Sequence, residues 1–142
     1  MESPKEMVIL IAEDDDGHAD LIEEGLYESG VCNKIIRFPD GKETWDYLSG
    51  SGDHVLDKNK HYLLLLDINM PKMDGVEVLK RMKADEELKE IPVMMLTTTE
   101  DPREVEHCYK LGCNIYITKP VDFSQFAETL KRLGLFIQVV KI

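Results

Sequence analysis

Short apolar runs alternate with longer amphipathic stretches along almost the whole chain, and this alternation limits the fold more than any other feature. Residues 7–12 are continuously apolar, as expected of a strand buried on both faces of a sheet. Similar short runs predict further strands at residues 35–38, 62–66, 92–96 and 115–118. Strands that alternate strictly with helices form a parallel sheet covered by helices on both faces. The sequence therefore predicts an α/β fold with five strands.

The stretches between these runs carry the start and stop signals of helices. The predicted helices cover residues 16–29, 40–49, 74–84 and 101–112, and a last helix begins at Asp122. Asp40 and Asp74 are each followed three residues later by glutamate, the pattern of a capping box. Asp101 before a proline supplies an N-cap and a favourable first helical residue. Five helices are therefore expected to connect and follow the five strands.

Length and charge exclude several classes of protein. A chain of 142 residues with 43% hydrophobic residues predicts one domain with its own core, which we place at residues 7–134, followed by an apolar tail at 135–142. The net charge of −11 argues against direct DNA binding and against an anionic membrane surface. No apolar run approaches the roughly 20 residues of a membrane span. The three cysteines are interpreted as reduced thiols of a cytoplasmic protein.

Polar side chains follow four of the predicted strands, at the point where each strand ends. Glu13 and Asp14 follow the first strand, Asp67 follows the third, Thr97 follows the fourth, and Lys119 lies at the end of the fifth. In an open parallel sheet, ligands bind beyond the carboxyl ends of the strands. We therefore expect these five side chains to meet at one edge of the sheet.

Three carboxylates, a hydroxyl and an amine at one point indicate a metal-assisted phosphoryl site. Neighbouring carboxylates repel one another unless a cation lies between them, and hard oxygen ligands with room for water suit Mg²⁺. A carboxylate can accept a phosphoryl group as an aspartyl-phosphate, and phosphoryl transfer depends mainly on positioning and charge neutralisation. Two other interpretations stay open: the acidic run from Glu13 could complement a helix dipole, and Asp67 could be a turn residue.

The same residues, in this order, resemble the receiver domains of two-component response regulators, the CheY-like family. The resemblance extends from about Val8 to Leu133 and rests on four motifs, at residues 13–14, 67–71 with 74–75, 97 and 119–120. It implies a flavodoxin-like, doubly wound (βα)5 sandwich with a five-stranded parallel sheet in the order 2-1-3-4-5. Each motif is weak by itself, but all four together at strand ends are highly specific.

The resemblance assigns a role to each residue of the predicted site. Asp67 corresponds to the phosphoacceptor, and Asp14 to the carboxylate ligand of Mg²⁺. Glu13 corresponds to the residue that holds metal-bound water, and the backbone carbonyl of Asn69 to a further ligand. These assignments are what membership of the family would imply.

Three further residues take roles by the same resemblance. Thr97 would hydrogen-bond the phosphoryl group, and Lys119 would pair with it. Tyr116 matches the aromatic switch residue whose side-chain position follows the threonine. The resemblance thus implies a switch as well as an acceptor.

The resemblance also implies partners. The sequence is similar to small stand-alone receivers that serve bacteriophytochrome-type histidine kinases. It would receive its phosphoryl group from such a kinase or from a phosphotransfer protein, and would signal to a downstream protein target. The long polar stretch at residues 50–61 is either a surface insertion or a partner-contacting segment. For the apolar tail at 135–142, two interpretations stay open: it folds back over its own domain, or it forms a homodimer contact together with the last helix, which we favour.

Two other functions compete with a receiver. An Mg²⁺-dependent phosphatase or phosphotransferase could use Asp67 as its nucleophile, but such an enzyme commonly needs an additional acid–base group nearby. Asn69 stands where that carboxylate would be useful. A flavodoxin-type cofactor binder is a third possibility, although no glycine-rich phosphate loop follows the first strand.

Overall fold

The computed structural model describes residues 7–28, 30–51, 56–97 and 101–118. Over these residues, five strands alternate with four helices, in the order β1 (Met7–Ala12), α1 (Asp16–Glu28), β2 (Ile35–Phe38), α2 (Gly41–Ser49), β3 (His61–Asp67), α3 (Gly75–Lys83), β4 (Val93–Thr97), α4 (Pro102–Leu111) and β5 (Ile115–Thr118). The predicted alternation is confirmed for these nine elements. The predicted last helix, Lys119 and the apolar tail lie outside the described residues.

All described strands pair in parallel, in the order β2-β1-β3-β4-β5. The predicted flavodoxin-like order is therefore confirmed. Ala12 pairs with Leu66 on β3, and Asp67 pairs with Leu96 on β4. Since neighbouring strands end at matching positions, the residues that follow β1, β3 and β4 converge on one edge of the sheet.

Side chains alternate between the two faces of the sheet and form a hydrophobic core on each side. Ile9, Ile11, Leu63 and Leu65 belong to the core on one face. The intervening residues of the same strands, such as Leu64, belong to the core on the other face. Because both faces of these strands are buried, their sequences are continuously apolar and do not alternate between apolar and polar residues.

Helix boundaries follow the predicted caps. The carboxylates of Asp40 and Asp74 each accept a hydrogen bond from the backbone N–H three residues later, at 2.8 Å. The C-terminal end of α4 is also defined by its sequence. Gly112, which follows this helix, adopts a positive φ, and the N–H of Cys113 donates to the carbonyl of Cys108 at 3.1 Å. This is a Schellman motif. The signals that local sequence supplies therefore place the helix ends correctly.

Two strands differ by a residue or two from their predicted bounds. β3 extends from His61 to Asp67, so Asp67 is its last residue and does not lie in the following loop. β4 begins at Val93 and includes Thr97, because Pro92 has no N–H to add to the ladder. The backbone of both polar residues is consequently fixed by sheet hydrogen bonds.

The segment after α2 borders a cavity at the opposite end of the sheet from these residues. The cavity has a volume of about 460 Å³, and Leu48, Leu56, Tyr62 and Leu88 are among the residues that line it. Described residues of the predicted irregular segment, among them Gly50, Asp57 and Lys60, also line this cavity. Among the described residues, no helix is both long enough and apolar enough to cross a bilayer.

Candidate metal and phosphoryl site

Three carboxylates lie together at the carboxyl edge of the sheet. Glu13 and Asp14 directly follow β1, and Asp67 ends the adjacent strand β3. One oxygen from each of the three side chains lies within 4.8 Å of the others. The pairing of Ala12 with Leu66 explains this proximity, because it ends the two strands at the same level. The structure brings together the three carboxylates expected from the sequence.

The chemistry of this donor set fits a hard divalent cation. Glu13 is 1% exposed and Asp67 is 6% exposed, whereas Asp14 faces solvent. Burying two like-charged groups side by side is costly unless a cation offsets their charge. An open side at Asp14 leaves room for the water molecules that Mg²⁺ retains. The three residues could therefore hold Mg²⁺, although their individual roles stay predictions.

The loop between β1 and α1 is held by its own side chains. Asp15 accepts a hydrogen bond from the backbone N–H of His18 at 2.9 Å, and so caps the first turn of α1. The Nδ1 atom of His18 lies 3.5 Å from Oε1 of Glu13. The acidic run thus does complement a helix N-terminus, in addition to supplying two carboxylates to the cluster.

The loop after Asp67 packs directly under α3. A Cβ atom at Gly75 would lie 2.1 Å from the backbone oxygen of Asp67, so only glycine fits there. The N–H of Gly75 also donates to the carbonyl of Ile68 at 2.8 Å. The N–H of Asn69 lies 3.3 Å from Oδ1 of Asp67 and donates to it. The start of α3 therefore fixes the backbone beside the candidate acceptor, while the predicted ligand role of the Asn69 carbonyl stays a prediction.

Thr97 and Tyr116 are linked on the strands beyond Asp67. Thr97 ends β4 and is fully buried. A side-chain hydrogen bond joins it to Tyr116 of β5, whose pKa burial raises to about 12. The N–H of Tyr116 donates to the hydroxyl of Tyr109 on α4 at 3.1 Å. The two predicted switch residues are thus in contact, and β5 is tied to α4 at the same point.

Two residues close to the site were not identified from the sequence. His18 contacts Glu13, and the guanidinium of Arg37 on β2 binds the backbone carbonyl of Glu13. The spacing of His18 within the first turn of α1 was an available signal. No local sequence signal points to Arg37. It reaches Glu13, 24 residues away in the sequence, because β1 pairs with the edge strand β2.

The comparisons with known proteins identify a family that matches most of the chain. The pattern of the response regulator receiver domain matches residues 9–131. The response regulator Rcp1 of Synechocystis is 37% identical over 135 residues, which cover 95% of this chain and 91% of Rcp1. The Mn²⁺-bound structure of Rcp1 superposes with a TM-score of 0.82, at 34% identity and with 91% and 92% of the two chains covered.

Two phytochrome-linked structures are also similar. The phosphorylated cyanobacterial phytochrome response regulator RcpA has a TM-score of 0.84 and 37% identity, with 92% of this chain and 93% of that chain covered. The bacteriophytochrome response regulator RtBRR has a TM-score of 0.73 and 37% identity, with 89% and 77% covered.

The parallel sheet in the order β2-β1-β3-β4-β5 and the family match together define the class of protein, a response regulator. The chain belongs to the response regulator receiver domain family. It resembles receivers of phytochrome signalling within that family. A Mg²⁺-dependent phosphatase is not favoured, since relatives matched over nearly their whole length are response regulators.

Proposed function

We propose that this receiver accepts a phosphoryl group on Asp67 and thereby switches its contacts with a downstream protein. The observation that carries the proposal is the position of Asp67. Its carboxylate is buried at the end of β3, within 4.8 Å of the oxygens of Glu13 and Asp14. Such a group is held in a fixed position and is placed where a cation can offset its charge.

The proposed reaction is a transfer from a phospho-histidine of a sensor kinase or of a phosphotransfer protein. An oxygen of Asp67 attacks phosphorus, the P–N bond breaks, and the electron pair returns to the imidazole of the donor. Mg²⁺, held by Asp14, Asp67 and the Asn69 carbonyl, with Glu13 holding metal-bound water, would neutralise charge on the transferring group. Lys119 is proposed to pair with a phosphoryl oxygen. Attack by water on the same phosphorus would later restore the carboxylate.

Thr97 is proposed to respond to phosphorylation of Asp67. Its hydroxyl is hydrogen-bonded to Tyr116 in this structure. A phosphoryl group on Asp67 would offer oxygens that compete for the same hydroxyl. Movement of Thr97 toward them would release Tyr116 and change the face formed by α4 and β5.

Mass spectrometry tests the acceptor. Incubation with acetyl phosphate and Mg²⁺ should add a single phosphoryl group, and chelation of the divalent ion should prevent it. Asp67→Asn should remain unmodified, whereas the exposed Asp20→Asn on α1 should be modified like the wild type. Modification that persists in Asp67→Asn would overturn the assignment.

The similarity to phytochrome response regulators supports a partner of that type. We therefore propose a bacteriophytochrome-type sensor histidine kinase as donor, a protein as downstream target, and the cytoplasm as location, where free thiols such as those of Cys32, Cys108 and Cys113 are usual. A phosphotransfer profile against purified kinases of this type tests the proposal. Transfer from unrelated kinases at equal rates would contradict it.

A homodimer through the last helix and residues 135–142 is proposed on the composition of the tail. Six of its eight residues are apolar, and an exposed apolar segment favours association. Sedimentation of the full chain should show a dimer, and a form that ends at Gly134 should sediment as a monomer. A monomeric full chain at high concentration would refute the proposal.

A further inference from the structure

The side chain of Arg37 connects β2 to both ends of the loop between β1 and α1. Its Nε and Nη2 atoms donate to the backbone carbonyl of Glu13 at 3.0 and 2.7 Å. Its Nη1 atom donates to Oδ1 of Asp16 at 2.7 Å. Two of these three hydrogen bonds go to Glu13, which follows β1, and the third goes to Asp16, which begins α1.

Residues of β2 bind both the backbone N–H and the backbone C=O of Glu13. The N–H of Glu13 donates to the carbonyl of Phe38 at 3.0 Å, and its C=O accepts from Arg37, the neighbouring residue on β2. Asp14 lies between the two residues that Arg37 binds. Two of the three clustered carboxylates are therefore carried by a short loop whose ends are fastened to the edge strand.

We propose that Arg37 is a positioning residue for the divalent cation, acting by holding the backbone that carries Glu13 and Asp14. The proposal rests on the proposed function, since it assumes that these carboxylates bind Mg²⁺. Arg37 touches no reacting group; it acts through the Glu13 carbonyl and Asp16. A lysine cannot replace it, because a single ammonium lacks the rigid fork that reaches both acceptors.

The charge of Arg37 and its hydrogen bonds to the loop predict opposite effects of substitution on the affinity for Mg²⁺. A guanidinium near an anionic site repels a cation, so removing its charge would by itself tighten Mg²⁺ binding. Loosening the loop would weaken binding, because outer residues that orient metal ligands typically affect affinity about ten-fold or more. The sign of the change therefore separates a positioning role from a merely electrostatic one.

A large loss of global stability is not expected from substitution. The carboxylate of Asp16 is 88% exposed, and ion pairs at exposed sites contribute little to folding. The effect should be concentrated in the loop at residues 13–16. Amide hydrogen exchange of the metal-free protein reports this directly, and exchange at Asp14 and Asp15 should accelerate in the variants.

Calorimetric titration with Mg²⁺ of the full chain tests the proposal. Arg37→Lys keeps the charge and loses the fork, and Arg37→Gln loses both. We expect the Kd for Mg²⁺ to rise about ten-fold in Arg37→Lys, and to rise in Arg37→Gln despite the lost charge. Arg81→Lys, in the last turn of α3, is the matched control and should bind like the wild type.

Three outcomes overturn the proposal: an unchanged Kd in Arg37→Lys, a tighter Kd in Arg37→Gln, or unchanged exchange at Asp14 and Asp15. Circular dichroism confirms that each variant is folded before titration. Absence of Mg²⁺ binding by the wild type would instead contradict the proposed function itself. The two failures are therefore distinguishable within one series of titrations.

Discussion

The side chains of Thr97 and Tyr116 are hydrogen-bonded to each other across the neighbouring strands β4 and β5. Tyr116 pairs in register with Met95, two residues before Thr97. Thr97 and Tyr116 therefore lie on the same face of the sheet, diagonally across the strand pair. This contact connects the end of β4, beside the candidate acceptor, with the face that β5 shares with α4.

Thr97→Val should prevent phosphorylation of Asp67 from affecting α4 and β5. Phosphorylation of the wild type is expected to shift NMR resonances in α4 and β5 as well as in the loops around Asp67. In Thr97→Val the hydroxyl is lost, so the shifts should be confined to those loops. Tyr116→Phe keeps the ring but loses the hydrogen bond, and serves as the matched variant. Confined shifts in the wild type would contradict the switch.

Asp14→Ala should abolish Mg²⁺ binding while the metal-free fold survives. Removal of one charge from a group of mutually repelling carboxylates should leave the free energy of unfolding unchanged or raised. Calorimetric titration measures the first effect and urea unfolding the second. Asp20→Ala, on the exposed side of α1, controls for the loss of one charge elsewhere. An unchanged Mg²⁺ affinity in Asp14→Ala would refute the ligand role.

Gly75→Ala should destabilise the protein by about 1–3 kcal/mol, the usual cost of overpacking. A Cβ there would lie 2.1 Å from the backbone oxygen of Asp67, so α3 or the strand end must move. Urea unfolding measures the change. At Gly17 the nearest atom to such a Cβ is the side-chain oxygen of Asp15 at 3.2 Å, so a small shift of that side chain makes room. A Gly75→Ala variant as stable as Gly17→Ala would contradict the close approach.

The stability of the protein should fall as the pH rises above 9. Burial raises the pKa of the Cys108 thiol from 9.0 to about 11. The unfolded chain thus releases this proton first, and the stability contributed by the neutral thiol is lost between about pH 9 and pH 11. Urea unfolding at several pH values should show a shallower decline in Cys108→Ala. An equal slope in both proteins would contradict the assignment.

Thiol labelling offers an independent check on the same group. Cys32 is exposed, whereas Cys108 and Cys113 are buried. The thiolate is the reactive form, so a buried thiol with a raised pKa should react slowly. A disulfide reagent at neutral pH should modify Cys32 first, as peptide mass mapping would show. Faster labelling of Cys108 would contradict its burial.

The elements of this fold were predictable because their signals are local. The apolar run at Met7–Ala12 and the caps at Asp40 and Asp74 each depend on residues within a few positions of one another. The polar residues at the strand ends predicted the carboxylate cluster for the same reason. Parallel strands bring their carboxyl ends to one edge whatever the details of packing.

Contacts between distant segments were decided by the tertiary structure. Nothing near Arg37 in the sequence indicates that it binds the Glu13 carbonyl, since β1–β2 pairing and the precise strand register create that contact. Likewise, Gly75 lies against the Asp67 backbone because α3 packs at a particular height. Periodicity and capping specify which elements form. The distances between side chains on different elements depend on register and packing, which the chain acquires only when those elements assemble.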